Sequence, residues 1–150
     1  MNKHDLWNDI ARSVRGDAWH GPAVNEALTG VTAAQSVQRP PDGLHSIWEL
    51  TLHIAAWIDE VAERLDGRFH NDPLPGNFVT VQDSSEAAWQ SALTEPELAL
   101  VRLKAALDRF PDEKLSAEVR PGITFAAMLM GLSQHNAYHA GQIAILRRLR

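Results

Sequence analysis

The fold is indicated most clearly by residues 46–65, which read SIWELTLHIAAWIDEVAERL. Apolar residues recur there every three or four positions, the period of one face of an α-helix; they are Ile47, Leu50, Ile54, Trp57, Ile58, Val61 and Leu65. Ser46 and Glu49 have the spacing of a capping box, in which each side chain accepts a hydrogen bond from a backbone N–H at the start of a helix. Gly67 then ends the pattern. The stretch predicts a long amphipathic helix.

Three further segments show the same period. The first spans residues 3–14 and is broken near residues 16–22, after which Pro22 suits the first turn of a short helix. Another begins after Asp83, with Glu86 as its capping partner, and Pro96 is expected to kink or split it at Thr94. The last begins at Thr124 and runs to the C-terminus, with Tyr138 and Leu149 among its inward residues.

Together these segments predict an all-α protein, a four-helix bundle whose first helix is broken near residues 16–22. A long loop at residues 68–82 lies between helices 2 and 3. We expect one domain over residues 1–150, because no linker or repeat divides the chain.

Composition excludes several classes of function. The formal net charge is −5 with neutral histidines, which argues against binding to a phosphate backbone. Cysteine is absent, so disulfides and zinc–thiolate sites are excluded. The sequence has neither an apolar run of about 20 residues nor a signal-like N-terminus. The expectation is a cytoplasmic protein that binds neither nucleic acid nor membrane.

The histidines of the last helix carry the strongest chemical signal. His135 and His139 are four residues apart, so both rings point from one face of the helix. Apolar neighbours place that face inside the bundle, where an imidazole nitrogen without a partner costs about 1–3 kcal/mol. A third histidine, His53, lies on the inner side of the 46–65 helix. The three predict one metal site.

Three neutral imidazoles suit a divalent ion such as Zn, Ni, Fe or Cu, with Mn also a candidate, and leave a coordination position open for water or substrate. The alternative is that each histidine is only hydrogen-bonded in the core.

Other residues near this site are candidates for catalysis or binding. His20 lies in the break between the first two helices and Glu49 lies one turn before His53; each is a candidate catalytic residue. Glu60 is a further candidate to orient a ligand or act as a base, although a solvated helix face is the alternative interpretation for both glutamates. Trp57 and Gln142 are expected to line the pocket. Peripheral positions are expected for His4, His45 and His70.

The sequence resembles the DinB/YfiT-like family of helical bundles, described as metal-dependent enzymes. The resemblance rests on residues 19–22 (WHGP), residues 46–57, and residues 134–143 (QHNAYHAGQI). It implies a four-helix fold, homodimers, and a metal held by His53, His135 and His139, which match the family's single histidine and its His-x-x-x-His pair.

Relatives within that family use small thiols, for transfer or for isomerising ring-cleavage products. The resemblance therefore favours a small-thiol S-transferase with a low-molecular-weight thiol as cosubstrate. A metal-dependent hydrolase remains open as an alternative, and so does a non-enzymatic stress-response bundle that binds a metal or a small ligand.

Overall fold

Four long helices dominate the computed structural model, which describes residues 2–41, 43–74 and 76–149. They are α1 (Lys3–Arg15), α4 (Ile47–Leu65), α5 (Glu86–Arg109) and α6 (Phe125–Arg148). Between them lie the short helices α2 (Val24–Leu28) and α3 (Ala33–Ser36), a 3-10 turn (Asp112–Ser116), and a hairpin of β1 (Glu118–Arg120) and β2 (Ile123–Thr124). The predicted all-α fold is confirmed.

The long helices form a closed arrangement in which each packs against two others. Helix α4 packs against α5 and α6, and α1 packs against the same two helices from the opposite side. The space between them is filled by fully buried side chains, among them Leu6, Ile10, Ile54, Ile58, Trp89, Leu103, Leu129 and Ile143. Because α4 and α6 are neighbours, their inward faces meet in this core.

The helix starts follow the capping chemistry of the sequence in two of three cases. Ser46 and Thr124 cap α4 and α6, each accepting a hydrogen bond from the backbone N–H three residues on. The capping box expected between Asp83 and Glu86 is wrong. Ser85 caps α5 instead, and the Glu86 carboxylate accepts a hydrogen bond from the backbone N–H of Ala33, at the start of α3.

Helix α5 continues through Pro96. Of the two outcomes expected there, a kink or a split at Thr94, the split is therefore wrong. Proline lacks a backbone N–H, so the carbonyl four residues earlier loses one hydrogen bond. Buried residues flank the proline on both sides, including Ala92 and Leu100. Packing of this face against α4 offsets the lost hydrogen bond.

The connecting segments match the sequence in outline. Helix α1 ends at Gly16, whose φ of 137° suits glycine. A long loop joins α4 to α5. The hairpin of β1 and β2 was not predicted, because its strands of three and two residues are too short to show alternation.

Two residues expected to face inward from α6 lie on its surface. Tyr138 is 65% exposed and Leu149 is 74% exposed. Apolar residues occur on several faces of α6, so periodicity alone assigned these two to the wrong face. Within the described residues, no helix is both long and apolar enough to cross a membrane.

Candidate metal centre

Helices α4 and α6 bring three histidines together inside the bundle. His53 lies in the middle of α4, and His135 and His139 lie one turn apart on α6. The Nε2 atom of His135 is 3.0 Å from that of His53 and 3.1 Å from that of His139. The sequence predicted this grouping, and the structure places the three rings around one point.

Hydrogen bonds on the outer side of two rings fix their protonation. The Nδ1 atom of His53 lies 2.6 Å from the backbone oxygen of Asn77, and that of His139 lies 2.6 Å from Oε1 of Gln142. Both oxygens can only accept, so both Nδ1 atoms must donate. A neutral imidazole carries a single proton. The Nε2 atoms of His53 and His139 therefore present lone pairs to the centre of the cluster.

A cation at the centre of the cluster would satisfy the lone pairs that face it. One proton on Nε2 of His135 can point at only one of its two neighbours, which leaves the Nε2 lone pair of the other neighbour without a donor. A tetrahedral ion with Zn–N bonds of about 2.05 Å holds its nitrogen ligands about 3.3 Å apart. The two Nε2 separations that involve His135, 3.0 and 3.1 Å, are close to this value, and all three candidate ligand atoms lie within 4.8 Å of one another. The residues present therefore fit a divalent metal.

Burial keeps the three imidazoles neutral, the state in which they bind metal. Removal from water, together with the charges of neighbouring histidines, lowers the pKa of His53 and of His135 to about 4. Burial also lowers the pKa of His139. At neutral pH all three rings are uncharged.

As far as the structure describes the chain, the ring of His135 lacks the outer hydrogen bond that the other two rings form. The Nδ1 atom of His135 is buried beside Asn136 and makes no hydrogen bond of good geometry with the described residues. Asn136 is itself fully buried, and its Nδ2 donates to Oγ of Ser13 on α1 at 3.0 Å. This contact ties the histidine-bearing part of α6 to α1.

The loop between α4 and α5 covers the cluster from outside. Asn77 accepts from His53 through its backbone and, at 2.9 Å, from the indole Nε1 of Trp57 through its side chain. Phe78 stacks on the ring of His53 at 4.1 Å. The other face of Phe78 stacks on His45 at 3.4 Å. Two loop residues thus shield the ring of His53, a candidate metal ligand, from water.

Cavities open on both sides of the cluster. A cavity of about 210 Å³ lies against His135 and is lined by Trp57, Arg64 and Met128. A larger one, of about 370 Å³, lies against His139 and Gln142, with His45 and Tyr138 among its walls. Trp57 and Gln142, the two residues predicted to line the pocket, each line one of them.

The two glutamates considered for catalysis are buried, so their interpretation as a solvated helix face is wrong. Glu49 makes a double hydrogen bond with Arg39 and receives the N–H of Ser46. Burial opposes its ionisation, but these hydrogen bonds outweigh burial and lower the pKa of Glu49. Among the described residues, Glu49 forms its hydrogen bonds and ion pairs with Arg39, Ser46 and His45, and none with the three histidines.

Glu60 belongs to a second polar group, named here the Glu60 cluster, formed by Glu60, Arg64 and His70. Glu60 accepts from Nε of Arg64 at 2.7 Å and from Nδ1 of His70 at 2.9 Å. Arg64 also lies over the ring of Trp57. The carboxylate of Glu60 is thus fully engaged within the chain.

The structure does not bring His20 to the cluster. His20 is exposed and lines a different cavity, together with Trp19 and Gln134. His45, expected to be peripheral, is instead part of the wall next to His139. Sequence reasoning also missed Asn77 and Phe78, because no periodicity marks loop residues that fold back onto a helix.

The fold and the site together define a class of protein. It is a helical bundle in which three imidazoles converge from two neighbouring helices. The model of the DinB superfamily matches residues 18–143, which include all three histidines. The chain therefore belongs to the DinB superfamily. No curated protein and no solved structure matches the chain.

Proposed function

We propose that this protein is a metal-dependent enzyme that transfers a small thiol to an electrophilic substrate. The observation that carries the proposal is the convergence of three Nε2 atoms, of which two must present lone pairs. A bound divalent ion supplies Lewis acidity, which lowers the pKa of a thiol or water that reaches it.

Each residue of the site has a part in this function. His53, His135 and His139 would hold the ion. Asn77 and Gln142 fix two of the rings by accepting their Nδ1 protons, as residues around metal sites commonly do. Phe78 and Trp57 keep bulk water from the cluster.

The engagement of the nearby carboxylates favours transfer over hydrolysis. A hydrolase profits from a free carboxylate that takes a proton from water. Glu49 is bound by Arg39 and Ser46, and Glu60 is bound by Arg64 and His70. A thiol loses its proton far more readily than water, so thiol transfer depends less on such a base.

The first test is the metal content of protein purified without an affinity tag. We expect about one divalent ion per chain in the wild type and none in His135→Ala. His4→Ala removes an imidazole outside the cluster and should keep the ion. Wild-type protein that takes up no metal when zinc, nickel, iron or manganese is added would refute the proposal.

The second test is catalytic. Metal-loaded protein is mixed with cysteine or glutathione and 1-chloro-2,4-dinitrobenzene, beside a panel of nitrophenyl esters and anilides. We expect thioether formation that disappears in His135→Ala and in chelated protein. Ester cleavage without thioether formation would favour the hydrolase, and inactivity in both panels would favour a binding role.

A further inference from the structure

The cavity next to His139 has an unusual lining, and we name it the His45 pocket. Its walls include His45, Phe78, Tyr138, His139, Gln142 and Ile145. None of the described residues that line it carries a carboxylate, an ammonium or a guanidinium group. Its volume of about 370 Å³ lies near the lower end of small-molecule sites, which span roughly 300–1,000 Å³.

His45 presents one polar edge to this pocket. One face of its ring is covered by Phe78, with the planes only 6° apart. The Nδ1 atom is buried without a hydrogen bond and lies 3.8 Å from Oε2 of Glu49. That distance is too long for a hydrogen bond, yet the negative charge of Glu49 favours a proton on Nδ1.

The opposite edge of the imidazole carries Nε2, which forms no hydrogen bond within the part of the chain that the structure describes. With the proton on Nδ1, Nε2 has a lone pair and accepts hydrogen bonds. The pocket therefore offers the uncovered face of the His45 ring and one hydrogen-bond acceptor, Nε2 of His45. Both lie beside His139, a candidate metal ligand.

We propose that the His45 pocket binds an uncharged, planar small molecule through stacking and through a hydrogen bond from a ligand hydroxyl to Nε2 of His45. This inference rests on the proposed function and names the class of its electrophilic substrate. Among the described residues no side chain of opposite charge lines the pocket, so a charged ligand would lose its hydration there without gaining a matching charge from the protein. A planar ring gains contact with the aromatic walls.

The experiment uses the full chain without metal, so that no ion attracts the carboxylate probe, and follows ¹⁹F NMR signals of three probes that share one ring. The probes are 4-fluorobenzyl alcohol, 4-fluorobenzoate and 4-fluorobenzylammonium. We expect the alcohol to bind at least about tenfold more tightly than either ion. In cobalt-loaded protein, its ¹⁹F signal should relax faster, because the pocket adjoins His139.

Matched variants locate the binding site. Ile145 and Val101 are 62% and 57% exposed, on α6 and α5 respectively, so either accepts a charge without entering the core. Ile145→Glu should weaken binding of the alcohol about tenfold, whereas Val101→Glu should leave it unchanged.

His45→Phe tests the hydrogen bond while keeping a ring to stack on Phe78. It should weaken binding of 4-fluorobenzyl alcohol about fivefold and leave that of 4-fluorotoluene, which has no hydroxyl, unchanged. Equal losses for both probes would overturn the assigned role of His45.

The two proposals fail in different ways. Protein that takes up no metal overturns the proposed function. If the protein takes up metal but binds the three probes equally, only this inference is overturned. The same holds if Ile145→Glu binds the alcohol as tightly as the wild type does. If probe binding is absent and Ile145→Glu converts a dimer into a monomer, the surface is an interface between copies, which also overturns it.

Discussion

Helix α4 supports two buried polar groups that differ in how their charges and lone pairs are satisfied. In the Glu60 cluster, the carboxylate of Glu60 is matched by the guanidinium of Arg64 and by two nitrogens of His70. In the cluster of His53, His135 and His139, three imidazoles meet with no anion or further donor among them.

The difference teaches how to separate a structural polar group from a binding site. Buried polar atoms are paired in native proteins, so a group whose atoms satisfy one another needs no further partner. A group whose acceptors face one another is incomplete without a cation. By this criterion the Glu60 cluster stabilises the fold, and the histidine cluster is the group that could hold a metal.

The largest expected effect is the loss of metal affinity on removing a ligand. His135→Ala should raise the dissociation constant for zinc at least about 1,000-fold, because the two remaining imidazoles bind an ion far more weakly. Competition with a chromophoric chelator measures this. His70→Ala, which removes the histidine of the Glu60 cluster, should leave the constant unchanged; a comparable loss there would break the distinction between the clusters.

The second expected effect is a loss of stability of the metal-free protein at acid pH. His53 and His135 have a pKa of about 4 in the folded protein and about 6.5 when unfolded. Between these values the unfolded chain binds more protons, so the free energy of unfolding of metal-free protein should fall as the pH drops from 6.5 to 4. We expect each of the two rings to contribute a loss of about 3 kcal/mol, measured by urea denaturation.

Above about pH 7.5 these groups are neutral in both states and should contribute no slope. His135→Leu should lose part of the dependence, since one titrating ring is gone. An identical slope in wild type and variant would show that other groups cause the acid sensitivity.

A smaller effect is expected from Glu60→Gln, which leaves Arg64 without its charged partner. The free energy of unfolding of the variant should be about 2–3 kcal/mol lower than that of the wild type, and the variant should still bind one metal ion. Glu63→Gln is the matched control, because Glu63 pairs with Arg68 at the exposed end of the same helix; it should cost at most about 0.5 kcal/mol. Loss of metal in Glu60→Gln would join the two clusters into one site.

The smallest effect is that of a residue that only orients a ligand. Gln142→Leu removes the acceptor for Nδ1 of His139 and should weaken zinc binding about tenfold. Gln134→Leu, on an exposed part of the same helix, is the control. An unchanged constant in Gln142→Leu would mean that the hydrogen bond does not position the ring.

Much of the fold follows from local chemistry that the sequence displays. Ser46 and Thr124 cap their helices through neighbours three residues away, and His135 and His139 share a face because of helical spacing. His53 could be added because it lies on the inner side of the 46–65 helix. These relations need only the period of one helix.

The remainder depends on contacts between distant segments. Glu49 looked exposed because Arg39, which neutralises it, comes from the preceding connection. Asn77, Phe78 and His45 reach the site through loops, whose path no periodicity predicts. Pro96 was expected to kink α5 or split it at Thr94, and the split does not occur because the packing that holds the helix together comes from α4.

X-ray absorption of the zinc-loaded protein tests the central claim most directly, since it counts the imidazoles around the ion. The account predicts three imidazole nitrogens at about 2.0–2.1 Å and one exchangeable oxygen ligand. A shell with fewer than three imidazoles, or one left unchanged by His53→Ala, would contradict it.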